Sequence, residues 1–436
     1  MSAATVTYIV GTCKSGTQFS TIQKALDASP APDTVEVCPG TYSEQVTISH
    51  PVTLEGIVGG NGSLAQIELP SDYTVNARVD VGGGTEPAIA QVYVNDVSGG
   101  SVNLTNLNVN GVGFASNDSI FIGVLYNQSS GTINQVTTSA QNTSGGATNV
   151  DGWGMWIQGG SSKPAVTVEN SSVHDFSGGG ILAVGETAAP DLTVTIKNNV
   201  VSSDAEGTNN VVVEEGTDPT VSGNIVSGVG NYGIIILAGT GSITGNTFLG
   251  SQTGIELAAD GASVTSNHIC GAMTYGIDVS ATALKKSTVE NNTIRTVKSS
   301  ASDDSNGIGI ELHCNNISSS LMHSNTIMDS FDGYGDAPAG FTGSNTYIGL
   351  FFDVDNGTCA GGSVYDKARA GARPKLPGNR RSNDGRSAIG RGGRFACYAP
   401  CVMLQCSAFN CDFRFSLVFL SHAKSIDYRG KRIQFP

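Results

Sequence analysis

Charge is scarce in this chain. Asp, Glu, Lys and Arg make up 14% of its 436 residues, and the net charge is −14. Positive charge is scarcest where most of the chain lies. Residues 1–363 carry nine Lys and Arg against 33 Asp and Glu, whereas residues 364–436 carry 14 against four. Phosphate backbones are bound by Lys and Arg, so an acidic body argues against nucleic acid as a partner. It argues also against polyanionic sugars such as pectate, unless Ca²⁺ bridges the like charges. Apolar runs are short, and none approaches the roughly 20 residues of a membrane span. The opening MSAATVTYIVGTCKSG lacks a basic n-region and a long apolar h-region. No signal peptide is read there, and the protein is then intracellular or its leader is missing. Stretches with helical periodicity are few.

What the chain does contain is turn and strand chemistry: 57 Gly, with abundant Asn, Ser, Thr and Val. Residues 219–312 write one pattern four times. The copies are TVSGNIVSGVGNYGIIIL, SITGNTFLGSQTGIEL, SVTSNHICGAMTYGIDV, and TVENNTI followed after an insertion by GIGIEL. Each has an alternating strand, an Asn, a short loop, a Gly and a second strand. The Asn residues are Asn224, Asn246, Asn267 and Asn292, with Asn325 in the same place in a later copy. A period in the low twenties, with strands and no helical stripe, predicts a parallel β-helix whose coils bury their apolar faces by stacking. Coils about 4.8 Å apart would bring the Asn amides into a hydrogen-bonded column. Asn also tolerates the left-handed backbone of a sharp corner. The Gly before the second strand is expected to mark another corner. Length over period predicts roughly ten to twelve coils.

Toward the N-terminus, FSTIQKALDASPAPDTVEVCPGTYSEQVTISHPVTLEG spans residues 19–56. Ser20 and Gln23 have capping-box spacing, and Ile22, Ala25 and Leu26 form one apolar face, so a short helix is expected before Pro30. Two strands, TVEVCPGTY and QVTISHPVTLEG, are expected after it. Such a helix would cover the open end of the solenoid. Cys13 and Cys38 flank it and either pair, which implies an oxidising compartment, or stay as buried thiols. After residue 363 the chain is Arg-rich and free of repeats. It reads as a disordered tail, a misread frame or a cloning junction. Its Cys397, Cys401, Cys406 and Cys411 lack the paired spacing of a zinc site. The expected organisation is cap and first coils over 1–56, solenoid body over 57–363 and irregular basic tail over 364–436.

The run FSTIQKALDASPAPDTVEVCPGTYSEQVTI resembles the opening of right-handed parallel β-helix proteins of the pectin-lyase-like superfamily, including pectin methylesterases and bacterial secreted proteins with β-helix repeats. The resemblance implies an all-β, right-handed solenoid over about residues 5–360. It implies no single chemistry, because this scaffold serves lyases, hydrolases, esterases, epimerases and non-enzymes. Gly40 to Val46 is similar to the early GxYxE segment of pectin methylesterases, which is structural. Their later catalytic Gln- and Asp-containing segments, the lyase basic motif and the paired Asp and GHG segments of polygalacturonases have no counterpart here. No catalytic residue carries over.

Candidate chemistry therefore comes from side-chain alternation. With Ile255, Leu257, Ile277, Val279, Ile310 and Leu312 inward, Glu256, Asp278 and Glu311 fall outward in one column, with His313 two residues further. Stacked carboxylates about 5 and 10 Å apart suit glycosidic cleavage, one as acid and one as base or nucleophile. The same triplet offers oxygen ligands to Ca²⁺. No other metal or cofactor is expected. The column continues backward as the apolar Ile235, Val212, Leu182 and Trp156, which needs a cover: a sugar ring on Trp156, with Trp153 beside it, a loop, the tail, or a second subunit. His174-Asp175 is a further acid–base candidate to which spacing ties no Ser. The function expected is an extracellular or cell-surface protein acting on a neutral or weakly charged polysaccharide, as hydrolase or lyase. The alternatives are a non-catalytic adhesion solenoid and an ester hydrolase of the pectin-methylesterase kind.

Overall fold

The computed structural model describes residues 5–328 apart from short segments (82–83, 113–118, 143–151, 186–190, 204–206, 215, 238–239, 259–260, 280–286, 296, 298–307, 314–320 and 324), and beyond them strands at 350–353, 363–365, 406–407 and 410–411. Short alternating strands follow one another around a three-walled coil. Each coil gives one strand to sheet A, one to sheet B and one to sheet C. One such coil comprises Thr217–Ser222, Ile225–Gly228 and Tyr232–Ile236. Among the described residues the sheets hold 14, 11 and 12 strands. Along each wall the strands pair in parallel with the coil before and the coil after. The antiparallel exception in the body is Ala77–Asp80, which folds back on Thr85–Asn95.

The core is the set of inward positions. Ile181, Val211, Ile234, Ile255 and Ile277 stack on sheet C, and Val201, Val226, Phe248, Ile269 and Ile294 meet them from sheet B. Because the side-chain period is 2, every second residue in a strand is committed to this interior, and stacking repeats the same contact at each rung.

The asparagine column lies at the turn from sheet A to sheet B and is longer than the repeats suggest. Each Nδ2 donates to the next Oδ1 from Asn199 to Asn224 (3.0 Å), Asn246 (2.9 Å), Asn267 (3.0 Å), Asn292 (3.0 Å) and Asn325 (2.9 Å). Each Oδ1 also accepts the backbone N–H of the preceding ladder residue, and each Nδ2 reaches a carbonyl, as Asn246 does at Val221 (2.9 Å). Ser171 ends the column, its N–H donating to Asn199 Oδ1 at 2.9 Å. These are buried amides with their hydrogen bonds made, the condition under which burying polar groups is tolerated.

Two expectations about the corners are corrected. The left-handed residue is not the ladder Asn but its predecessor: Asn198, Gly223, Gly245, Ser266 and Asn291 all have φ between 56° and 65°. The ladder Asn must instead aim its amide inward along the stack. The Gly before the second strand is not a corner either. Gly254 has ordinary φ, but a Cβ there would lie 2.6 Å from the carbonyl oxygen of Gly276 and 2.9 Å from Ile269. The strands approach too closely for a side chain. The corner from sheet B to sheet C is taken by Gly228 and Gly250, at φ 114° and 101°.

At the N-terminal end, helix α1 covers Ile22–Leu26 and buries Ile22, Ala25 and Leu26. Its N-cap is Thr21 rather than Ser20, and the free N–H groups of Ile22 and Gln23 donate to the Glu44 carboxylate at 2.9 and 3.0 Å. A carboxylate from the neighbouring coil thus does what the capping box was expected to do. The Gln23 side chain pairs with both backbone groups of Thr47, on a terminal strand of sheet C. The two long strands expected after α1 are each broken at corners, into Thr34–Val37, Gly40–Ser43, Val46–Ile48 and Val52–Gly56, because one coil must turn three times. Cys13 and Cys38 form a disulfide, with Cα atoms 5.6 Å apart.

The chain separates into two compact units, Met1–Arg380 and Arg381–Pro436. In the second, Cys406–Ser407 and Asn410–Cys411 form an antiparallel pair. The disorder expected of the tail, Cys397, Cys401 and the insertion before GIGIEL (apart from Val297) lie outside the described residues. No helix among the described residues is long and apolar enough to cross a membrane.

Candidate active site

Sheet C positions the acidic residues. Its strands share one grammar: an outward residue, the close-packed Gly, an inward residue, an outward residue, an inward residue. Tyr232–Ile236, Thr253–Leu257 and Tyr275–Val279 are successive examples. Register pairs Ile235 with Glu256, Glu256 with Asp278, and Asp278 with Glu311. Adjacent members are therefore one strand spacing apart, about 4.8 Å between backbones. Glu256 is half-buried and Asp278 is buried, at 8% exposure. For Glu311 and His313 the described structure gives the backbone register alone, which pairs His313 with Asp353.

Backward along the same outward positions the register runs Ile235, Val212, Leu182, Trp156 and Leu125. This stretch is not an open stripe. It is buried in a second apolar cluster with Ala77 and Val79 of the fold-back strand and with Val184 and Ile122. The cover comes from within the chain, so the expectation of a subunit interface here loses its exposed apolar area. Trp156 is corrected for the same reason. At 2% exposure it has no open face for a sugar ring, and its indole packs edge-on against Trp153 with centroids 5.4 Å apart. Trp153 is the partly exposed member of the pair.

The site also contains a residue that the sequence reading passed over. Tyr232 stands outward one rung before Thr253 and packs against the second apolar cluster. Burial pushes its phenol up to about 12, and the charges of Glu256 and Asp278 push the same way. Tyr232 therefore stays a proton donor at any pH near neutral. Tyr275 occupies the equivalent position two rungs on. The signal was present as the repeated Tyr-Gly before the inward Ile, in NYGI and TYGI.

His174 and Asp175 lie on sheet B, another wall, and are not brought together with the carboxylate column. Their Nδ1–Oδ2 distance is 2.8 Å and both are well exposed. Ser139 and Ser202 flank His174 in register, though neither hydrogen-bonds it among the described residues. Nor do the described residues contain a cluster of three or more groups placed to hold a metal ion.

Residues 187–348 match a family model described as a right handed beta helix region. The fold is a right-handed parallel β-helix. Solved structures with this fold cover most of the chain. The DFA-IIIase from Arthrobacter chlorophenolicus A6, without its lid and in complex with GF2, is 14% identical, with a TM-score of 0.52 over 77% of this chain and 94% of that one. The same enzyme in complex with DFA-III gives 0.51 over 80% and 92%, again at 14% identity. A GH136 lacto-N-biosidase from Eubacterium ramulus is 11% identical, with a TM-score of 0.50 over 80% of this chain and 67% of that one. No curated protein matches the sequence.

Proposed function

We propose that this β-helix is a carbohydrate-active enzyme that cleaves glycosidic bonds of a neutral or weakly charged glycan on the outer face of sheet C. The observation that carries the reading is the register of Glu256 with Asp278, two carboxylates on adjacent rungs. A retaining hydrolase sets its two carboxyl groups about 5–5.5 Å apart, and an inverting one about 6.5–9.5 Å. Adjacent rungs, about 4.8 Å apart, suit the first geometry, and alternate rungs, Glu256 with Glu311, suit the second. In either case one carboxyl group protonates the leaving oxygen while the other acts as nucleophile or base toward water. Glu311 and His313 continue the column and would tune the pair, and Trp153 would stack on a sugar ring. The pair supplies both acid and base, so the reaction as read here calls for no metal ion.

The acidic body supports a substrate without its own negative charge, since uronate chains would be repelled. The neighbouring folds are consistent with a glycan: one is crystallised with GF2 and with DFA-III, and another is a lacto-N-biosidase. The Cys13–Cys38 disulfide supports an oxidising compartment, which is where an enzyme for external glycans would work.

A panel of neutral and acidic glycans incubated with the full chain, with new reducing ends quantified, tests the proposal. Cleavage confined to neutral glycans is expected. Binding without release of reducing ends would favour an adhesion solenoid, and release of methanol or acetate would favour an ester hydrolase.

A further inference from the structure

We propose that His268 and Arg295, on adjacent rungs of sheet B, form a binding site for a small oxyanion such as a sulfate or a carboxylate group. The site lies on a different wall from the carboxylate column and does not depend on the glycan-cleaving reading.

Sheet B places the two side chains together. His268–Cys270 and Thr293–Arg295 are paired strands, with His268 beside Thr293 and Cys270 beside Arg295. In each strand the middle residue, Ile269 or Ile294, is buried and its two neighbours face outward. His268 and Arg295 are thus diagonal neighbours on the outer face. One strand spacing across and two residues along put their backbones about 8 Å apart. Two side chains with one small ion between them fill such a span.

Three observations point to an anion there. First, the Nε of Arg295 and the Nε2 of His268 are both buried, and neither has a hydrogen-bond partner. A hidden polar nitrogen left unpaired costs free energy, and two of them on adjacent rungs call for a group that accepts from both. Each residue as a whole is partly exposed, which leaves an approach from solvent.

Second, Arg295 is an uncompensated charge. Lys14 pairs with Glu36 at 2.6 Å and Lys197 with Glu169 at 2.9 Å, and Arg78 donates to the Thr85 carbonyl at 2.7 Å. Arg295 makes no ion pair among the described residues, although residues 1–363 hold 33 Asp and Glu. The strands around it, Thr247–Gly250, His268–Cys270, Thr293–Arg295 and Thr326–Met328, contain no Asp or Glu. A guanidinium without a carboxylate presents a planar fork of N–H groups that matches an oxyanion.

Third, burial and then the Arg295 charge hold the His268 imidazole below its ordinary value. At neutral pH the ring is therefore uncharged and offers one N–H, while Arg295 carries the positive charge. One cation and one neutral donor suit a single small anion. A polyanionic chain would be repelled by the acidic body around the site.

The test uses the full chain with sodium sulfate as the probe, and sodium acetate and sodium chloride at matched ionic strength. The His268 ring Cε1–H resonance is followed by NMR, assigned by its loss in His268→Gln. It is expected to shift saturably with sulfate, with acetate or with both, and not with chloride. Saturation by sulfate alone assigns a tetrahedral oxyanion, and saturation by acetate alone assigns a carboxylate. Arg295→Met should raise the Kd of the saturating ion at least about tenfold, the scale of a lost hydrogen bond to a charged group. No saturation with either ion, the same response to chloride, or an unchanged Kd in Arg295→Met overturns the site. A second readout needs no substitution. Phenylglyoxal modifies accessible guanidinium groups, and peptide mass spectrometry reports Arg78 and Arg295 separately. The saturating ion should slow modification of Arg295 severalfold relative to chloride and leave Arg78 unchanged. Equal rates at Arg295 in the two salts overturn the proposal even if Arg295→Met fails to fold.

Discussion

Two stretches of sheet C occupy the same outward column and have opposite chemistry. From Leu125 to Ile235 the column is apolar and covered. From Glu256 to Glu311 it is acidic. Beneath both runs the same inward stack, from Met155 through Ile234 to Ile310, fully buried throughout. The repeat therefore specifies the fold through its inward positions and its asparagine ladder, and leaves the outward positions free to differ. Where they are apolar they are buried in a second cluster outside the coil. Where they are acidic, with Tyr232 at the border between the two stretches, they set carboxylates on adjacent rungs.

The comparison breaks most visibly if an acid is carried into the apolar stretch. Leu182→Glu places a carboxylate among the apolar side chains of Trp156, Val212 and Val184. The expected loss is about 4 kcal/mol of unfolding free energy in urea, the scale of an unpaired buried charge. A loss below about 1 kcal/mol would show that the apolar stretch is open to water. Next in size is Asn246→Ala, which removes a ladder amide that both stretches share. It strands the backbone N–H of Asn224, takes the amide donor from the Val221 carbonyl, and is expected to cost about 3 kcal/mol, while kcat per folded molecule stays within twofold. Smaller again is Gly254→Ala, which forces a Cβ against the Gly276 carbonyl between the two acidic rungs. About 2 kcal/mol of stability should be lost. Because this shift spreads Glu256 from Asp278, kcat should fall with it, which separates it from the ladder variant.

The periodic part of the fold was legible because stacking repeats one contact many times. The Asn spacing and the alternation of Ile255, Glu256 and Leu257 each point to a coil, and together they fix the register that places Glu256 beside Asp278. Three features were not legible, for physical reasons. The capping of α1 by Glu44 is a contact between coils 22 residues apart in sequence, which local spacing does not report. The left-handed corner belongs to the residue before each ladder Asn, and Gly, Ser and Asn all serve there, so no single letter marks it. Trp156 is buried in a cluster that includes Ala77 and Val79 of the fold-back strand Ala77–Asp80, an irregular excursion with no counterpart in the repeats. Tyr232 was hidden for a different reason, since an aromatic at a strand start reads as packing until the charges beside it are seen.

The most direct measurement is the rate of reducing-end release by Glu256→Gln and by Asp278→Asn on a neutral glycan that the wild type cleaves, with thermal midpoints recorded alongside. The account predicts that each substitution lowers kcat by about 10³-fold, the scale of a lost acid or base, with the midpoint nearly unchanged. Rates equal to wild type in both variants would contradict it and remove the acidic column as the site of chemistry.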